Sequence, residues 1–237
     1  IDLTGGQSMI DNAADAGANL GTDTITGFEH AIGSNQDDIL TGDASGNTLQ
    51  GLDGADTIDG GAGNDVLNGG DGNDTITTGT GNDTVDGGND DDTIYAQGGA
   101  DVIDGGAGTN DLVSYGSNAD DMTIDMSSLT GGAVSVVVSG TETDSVINVE
   151  NFETGTGNDT IIIDSGYSSD EMEITTNAGN DHITHDGASD VVINGGAGVD
   201  TVDYSSAASV SFDITNINSA TTVTIPALGT NTIEGIE

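Results

Sequence analysis

One aliphatic residue returns at every ninth position along a continuous stretch of this chain. From Gly33 to Val113 the sequence divides into nine blocks of nine residues, with Asp or Asn at the sixth place of each block. The eighth place holds Leu40, Leu49, Ile58, Leu67, Ile76, Val85, Ile94, Ile103 and Leu112. A solvated acidic linker has no reason to keep this spacing, so the period indicates a repeated structural unit.

Each block divides into a turn and a short strand. The clearest blocks read GGAGNDVLN (Gly60 to Asn68) and GGDGNDTIT (Gly69 to Thr77). The glycine-rich first six residues suit a turn in which backbones approach closely. The last three residues predict a strand whose middle aliphatic points inward while its neighbours point outward. One such strand buries a single side chain, so the blocks must stack.

These blocks resemble the hemolysin-type calcium-binding nonapeptide, G-G-x-G-x-D-x-U-x, of the RTX family. The resemblance implies an all-β fold of parallel β-roll (RTX solenoid) stacks, in which two blocks complete one coil and blocks of equal parity lie above each other. One inner ladder would then join Leu40, Ile58, Ile76, Ile94 and Leu112. The other would join Leu49, Leu67, Val85 and Ile103.

The same resemblance implies that the sixth-place acids bind several Ca²⁺ ions between neighbouring coils. In the first array these predicted ligands are Asp38, Asp56, Asp65, Asp74, Asp83, Asp92 and Asp101. Asp38, Asp56, Asp74 and Asp92 would pair in series along one edge, and Asp65, Asp83 and Asp101 along the other. Gaps that involve Asn47 or Asn110 carry less charge and should bind more weakly. Without ions the paired carboxylates would repel each other, so binding and folding should be one event.

A second, less regular array follows between residues 154 and 203. Its good blocks are TGTGNDTII (Thr154 to Ile162), TNAGNDHIT (Thr176 to Thr184) and GGAGVDTVD (Gly195 to Asp203). The predicted calcium ligands here are Asp159, Asp181, Asp190 and Asp200.

Segments with alternating apolar residues and little Gly separate the arrays, which predicts short β-rich modules. The expected organisation is a linking module at 1–32, a β-roll at 33–113, a linking module at 114–153, a second β-roll at 154–203 and a third module at 204–237. Thr24 to Glu29, Ser145 to Glu150 and Thr232 to Glu237 align without gaps. The first two copies lead directly into a calcium block, which favours a part of a longer tandem array.

The chain has no Lys or Arg and 42 acidic residues, for a formal charge of −42. Nucleic acids and anionic membranes require a basic footprint, so neither is an expected partner. Compaction needs cations from solution, and carboxylate and carbonyl oxygens are hard ligands suited to calcium. With no Cys, disulfides and thiolate metal sites are excluded. No apolar run approaches the length of a membrane span.

Nothing in the sequence indicates catalysis, so we expect no enzyme. His182 and His185 are the one close pair of His residues, and they lack the helical context of a zinc protease. Outward Thr residues at seventh places suggest an ice- or crystal-binding face, but the mixed ninth places interrupt it, and Thr also suits an exposed strand. Another alternative is the RTX tail of a secreted protease, lipase or polysaccharide-modifying enzyme.

The expected function is therefore structural. The resemblance implies a secreted protein that leaves the cell unfolded by type I secretion and folds outside on binding Ca²⁺. The tandem pattern favours a segment of a bacterial surface protein, either an adhesin stalk or a surface-layer (S-layer) element. Self-association and contacts with the cell surface or matrix are possible partnerships that the sequence leaves open.

Overall fold

The computed structural model describes residues 8–10, 29–130, 133–138, 142–163, 172–186, 191–204 and 222–224. All regular structure within these ranges is β-strand, so no membrane-spanning helix is found in them. The strands in chain order are β1 (Ser8–Ile10), β2 (His30–Ile32), β3 (Ile39–Thr41), β4 (Thr48–Asp53), β5 (Thr57–Asp59), β6 (Val66–Asp71), β7 (Thr75–Thr77), β8 (Thr84–Asn89), β9 (Thr93–Tyr95), β10 (Val102–Ala107), β11 (Leu112–Ser114), β12 (Met122–Thr130), β13 (Ala133–Val138), β14 (Glu142–Ile147), β15 (Asn151–Glu153), β16 (Thr160–Ile163), β17 (Met172–Thr175), β18 (His182–His185), β19 (Val191–Asn194), β20 (Thr201–Asp203) and β21 (Thr222–Thr224).

The strands form two sheets that face each other across one apolar core. The chain alternates between the sheets through the first array, so successive blocks lie on opposite sides. One sheet has the order β19-β17-β15-β11-β9-β7-β5-β3, and the other has the order β1-β2-β4-β6-β8-β10-β14-β13-β12-β16-β18-β20-β21. The predicted all-β parallel β-roll is confirmed.

The inner ladders follow the nine-residue period. In the eight-stranded sheet Leu40 pairs with Ile58, Ile58 with Ile76, and Ile76 with Ile94. In the opposite sheet Leu49, Leu67, Val85 and Ile103 pair in series. All of these side chains are at most 2% exposed. Each therefore gains nearly its full burial energy, roughly 1.5–3 kcal/mol.

The last block of the first array departs from the predicted register by one residue. Ile94 pairs with Val113, not with Leu112, and Val113 is 0% exposed. Because side chains alternate across a strand, one added residue exchanges the inward and outward positions. The prediction that Leu112 continues the ladder is therefore wrong, and Asp111 takes the acid place that had been assigned to Asn110.

Between the arrays the parallel pattern is interrupted by an antiparallel excursion. β12 pairs with β13 and β13 with β14, both antiparallel. β14 also pairs in parallel with β10, and β12 pairs in parallel with β16. The three strands thus connect the two arrays within one sheet. Their inward side chains, together with Tyr115 and Phe152, fill the core at this level.

The second array continues the same two sheets. Ile161, Ile183 and Val202 pair in series in one sheet, and Phe152, Ile174 and Ile193 pair in series in the other. Asp190 lies outside the described residues. So do the third copy of the recurring hexapeptide and the first copy up to residue 28.

Candidate metal-binding turns

The sixth-place acids form one file along each edge of the roll. In each gap the backbone N–H of one acid donates to a carboxylate oxygen of the acid one coil further on. On the first edge Asp38 donates to Asp56 at 2.7 Å, Asp56 to Asp74 at 2.7 Å, Asp74 to Asp92 at 2.8 Å and Asp92 to Asp111 at 2.7 Å. On the second edge Asn47 donates to Asp65 at 2.7 Å, Asp65 to Asp83 at 2.8 Å, Asp83 to Asp101 at 2.9 Å and Asp101 to Asp144 at 2.8 Å.

This arrangement confirms the predicted spatial pairing of the acids in the first array. The second array contains a similar file in which Met122 donates to Asp159 at 2.8 Å, Asp159 to Asp181 at 2.8 Å and Asp181 to Asp200 at 3.1 Å. The successive coils are therefore tied at their edges by carboxylate oxygens that accept backbone N–H groups. Only one oxygen of each carboxylate is needed for this role.

The second carboxylate oxygen is the unusual feature of these turns. In most ladder residues Oδ2 is buried and has no hydrogen-bond partner. The residues concerned are Asp56, Asp65, Asp74, Asp83, Asp92, Asp101, Asp111, Asp159 and Asp181, each at most 2% exposed. Buried polar atoms are normally paired, and an unpaired charged oxygen is among the costliest of exceptions. A repeated set of such atoms indicates a cation-binding role.

Three ladder residues differ from this pattern. Asp38 is only half-buried, and its Oδ2 accepts the Ser34 backbone N–H at 2.5 Å and the Ser34 hydroxyl at 3.0 Å. In Asp144 the Oδ2 accepts the Tyr115 hydroxyl at 2.8 Å. Asp200 is 2% exposed but does not belong to the unpaired set. The predicted ligands are thus not equivalent, because Asp38 already has local donors for its second oxygen.

Backbone oxygens approach the unpaired carboxylates where each block begins with glycine. A β-carbon placed on Gly60 would lie 2.7 Å from Oδ2 of Asp65 and 2.5 Å from the carbonyl oxygen of Thr78. Gly51 and Gly69 have the same surroundings. Glycine leaves room for both oxygens at Gly60, whereas Thr78 and Ala96 stand at the same place in two other blocks.

Burial raises the pKa of these carboxyl groups. The pKa rises from 3.8 to about 6 in Asp65 and to about 7 in Asp92 and Asp101. Desolvation by burial is the largest cause, and the backbone N–H donor on Oδ1 opposes it. Neighbouring carboxylates raise the pKa further; in Asp65 the next acid of the file, Asp83, contributes. Burial also raises the pKa of Asp74 and Asp83.

The donor set of these turns fits calcium. Calcium accepts carboxylate and carbonyl oxygens in flexible geometry. Within the described ranges no three Asp, Glu or His side chains converge on one point. A site in these turns would accordingly combine a ladder carboxylate with backbone oxygens such as that of Thr78.

Sequence reasoning missed two acids of the ladder, Asp111 and Asp144, which are both 1% exposed. Each lies two residues before a buried aliphatic, Val113 or Val146, so the spacing inside the repeat was present in both. Asp111 was missed because the register was kept rigidly at nine. Asp144 was missed because no glycine-rich turn precedes it. Glu150 extends the first edge, since its Oε2 accepts the backbone N–H of Asp111 at 3.0 Å.

The two close His residues lie on opposite faces of β18. His182 is exposed. His185 ends the strand and is 2% exposed, with its ring centroid 5.2 Å from that of Tyr204. The pair therefore does not face a common point.

Comparison with protein families gives one match. The model of the RTX calcium-binding nonapeptide repeat matches four times, over residues 32–67, 41–76, 77–112 and 175–207. These segments contain all but Asp159 of the acids predicted from the sequence. No curated protein matches the chain.

Proposed function

Since this chain carries RTX calcium-binding nonapeptide repeats, which bind Ca²⁺ at multiple sites and form a structural segment, we propose that it belongs to a secreted bacterial surface protein. In this role the segment folds and stiffens when it meets extracellular Ca²⁺. It serves as an adhesin stalk or a surface-layer element and carries no catalytic site of its own. RTX repeats are typical of secreted proteins, which supports an extracellular location and type I secretion.

The unpaired, buried Oδ2 atoms of the ladder acids support this proposal most strongly. A carboxyl group with a pKa of about 6 in place of 3.8 costs the metal-free fold about 3 kcal/mol when it ionises above pH 7. Two such groups already approach the stability of a typical domain, which is about 5–15 kcal/mol. We therefore expect the metal-free roll to lose stability as the pH rises to neutral.

Bound calcium supplies the positive charge that offsets this cost. Each predicted ligand with an unpaired oxygen presents it to the ion, namely Asp56, Asp65, Asp74, Asp83, Asp92, Asp101, Asp159 and Asp181, and we add Asp111 on the same ground. Asp200 remains a proposed ligand, and Asp38 a weaker one because Ser34 already donates to it. Asp190, a ligand on sequence grounds alone, lies outside the described residues.

The range of calcium concentrations over which such modules bind suits a protein that folds only outside the cell. Extracellular calcium modules commonly bind at about 10⁻⁴–10⁻³ M. At cytosolic concentrations the turns would stay empty and repulsion would keep the chain loose, as passage through a channel requires. Outside, filled turns would join the coils into one stack. We propose that this stack acts as a rigid spacer that contacts other copies or the cell surface.

A calcium titration followed by small-angle scattering and circular dichroism tests the proposal. In chelator at pH 7.5 we expect an expanded chain, and in millimolar Ca²⁺ a compact β-rich rod. Magnesium at the same concentration should not produce the rod, because it prefers rigid octahedral sites that retain water. A chain that is equally compact with chelator would overturn the proposal.

A matched pair of variants assigns the effect to the ladder. Asp74→Ala with Asp83→Ala removes two unpaired carboxylates and should raise the calcium midpoint. Asp71→Ala with Asp86→Ala makes the same change in charge at two exposed positions and should leave the midpoint nearly unchanged. Equal shifts in both double variants would show that net charge, and not the ladder, controls folding.

A further inference from the structure

Asp144 is a ladder acid in which both oxygens are already bonded. Its Oδ1 accepts the backbone N–H of Asp101 at 2.8 Å, as in every regular gap. Its Oδ2 accepts the hydroxyl of Tyr115 at 2.8 Å. Asp83, earlier in the same file, has an unpaired Oδ2. The difference therefore lies in the tyrosine and not in the position within the file.

Tyr115 is placed for this contact by the fold. It follows β11, its backbone N–H donates to the carbonyl oxygen of Glu153 at 2.7 Å, and its side chain is 1% exposed. Burial and the neighbouring Asp144 raise the pKa of the Tyr115 hydroxyl well above its usual value of 10.0. The hydroxyl thus stays protonated and remains a donor throughout the physiological pH range.

We propose that the Tyr115 hydroxyl holds Asp144 where calcium holds the other ladder acids, so that the junction between the two arrays is ordered without calcium and primes both β-rolls. This inference rests on the proposed calcium ladder. It concerns the segment from β11 to β15, which joins the arrays.

The junction also has more apolar support than the coils on either side. A nonapeptide strand buries one aliphatic side chain, whereas β12 alone buries Met122, Ile124 and Met126. β13 buries a further three, Val134, Val136 and Val138. Three strands with an apolar face can be stable where a single short strand cannot. The segment thus has its own source of stability when the turns are empty.

The edges of this segment are the places where the arrays attach. β14 offers one edge in parallel to β10, and β12 offers the other in parallel to β16. An exposed strand edge is a template for a further strand. Calcium-dependent coils would therefore be added outward from the junction, toward β10 in one direction and toward β16 in the other.

Hydrogen–deuterium exchange on the full chain tests the proposal. In chelator at pH 7.5 we expect amides of 133–138 and 142–147 to be protected, while those of 57–95 exchange as in an unfolded chain. Tyr115→Phe should accelerate exchange of 142–147 roughly tenfold in chelator, because it removes the only donor to Oδ2 of Asp144 among the described residues. Tyr95→Phe, at a 42% exposed tyrosine, is the matched control and should change nothing.

Three results would overturn the inference. The first is rapid amide exchange at the junction of the wild-type chain in chelator. The second is an exchange rate of 142–147 in chelator that Tyr115→Phe leaves unchanged. The third is the loss of one bound calcium ion in Asp144→Asn. The number of ions bound to Asp144→Asn is measured by equilibrium dialysis. This measurement tests the inference even if Tyr115→Phe fails to fold in calcium, because an unchanged number of ions supports a hydrogen bond from Tyr115, and not calcium, at Asp144. If calcium does not order residues 57–95 at all, the ladder proposal has failed, which is a different outcome.

Discussion

Replacing Asp65 with Asn separates the charge of a ladder acid from its shape. The amide oxygen of Asn can still accept the backbone N–H of Asn47, which donates to Oδ1 of Asp65 at 2.7 Å. The negative charge on the buried, unpaired Oδ2 is lost. The variant thus keeps the contact between coils and removes the group that calcium would neutralise.

The effect in the absence of calcium follows from the pKa of Asp65. Because the pKa rises from 3.8 to about 6 on folding, this group favours the metal-free fold below pH 3.8 and disfavours it increasingly as the pH rises to about 6. Above pH 7 the cost is about 3 kcal/mol. Asn avoids this cost, so Asp65→Asn should stabilise the metal-free fold by up to about 3 kcal/mol, less the cost of burying its amide N–H group.

The effect with calcium has the opposite sign. The variant offers a neutral oxygen in place of a carboxylate, so the affinity of that turn falls. We expect the calcium affinity of that turn at pH 7.5, measured on the folded protein, to fall roughly tenfold if the ligand charge is worth about 1.4 kcal/mol there. The calcium midpoint for folding then moves by the balance between this loss and the gain of the metal-free fold. A substitution that stabilises the metal-free fold and weakens calcium binding is expected of a carboxylate that is a calcium ligand.

Circular dichroism gives both measurements on the same protein. In chelator the β signal is followed against pH, and the pH at which half of this signal is lost should be higher in Asp65→Asn than in the wild type. At pH 7.5 it is followed against calcium concentration. Asp86→Asn, at an exposed acid, makes the same change in charge and should move neither midpoint appreciably. If Asp65→Asn lowered stability in chelator as well as in calcium, its carboxylate would be structural and the reasoning would be refuted.

Four further outcomes follow from the same structure. The metal-free wild type should lose its β signal as pH rises from about 4 to about 7, since the raised pKa values reach about 7 in Asp92; a flat pH profile in chelator would contradict this. Leu52→Gly should stabilise the calcium-bound fold by about 1 kcal/mol in thermal unfolding, because Leu52 has a φ of 94° where five other blocks place glycine. Gly60→Ala should raise the calcium concentration needed to order its turn, seen as weaker amide protection, because its β-carbon would meet two oxygens that have to shift. Asn82→Ala should lower the unfolding temperature with calcium, through loss of its bond from the Ala100 N–H, without changing the number of ions measured by dialysis.

The repeat period and the resemblance to the RTX nonapeptide were together sufficient to predict the fold of the first array. An aliphatic every ninth residue determines which side chains face inward, and the two blocks per coil that the resemblance implies place Ile58 against Ile76. The stacked acids follow from the same period, because a sixth-place residue keeps a constant distance from its ladder aliphatic. These features are periodic, so each block repeats the information of its neighbours.

The parts that could not be predicted are those that occur once. The extra residue before Asp111 changes one block, and no second block reports the change. The antiparallel pairing of β13 between β12 and β14 depends on contacts across the sheet, which no local pattern specifies. The bond from Tyr115 to Asp144 joins residues 29 apart. Each of these features depends on tertiary packing that a periodic sequence signal does not contain.

In turns with Asn or Asp at the fifth place, two adjacent places tie the coils in opposite directions. At the sixth place the side chain of the later coil accepts an N–H from the earlier one, as Asp83 does from Asp65. At the fifth place the side chain of the earlier coil accepts from the later one, as Asn64 does from Asn82 at 3.0 Å.

The two places differ in burial, and at Asn64 and Asn82 they also differ in charge, although Asp37 and Asp91 fill the fifth place in other turns. The fifth-place Asn64 and Asn82 are neutral and exposed, so their contact needs no ion. The sixth-place acid is charged and buried, and its second oxygen remains unpaired. Stacking geometry can therefore be specified by neutral residues, while the acids make the stability of that geometry conditional on calcium.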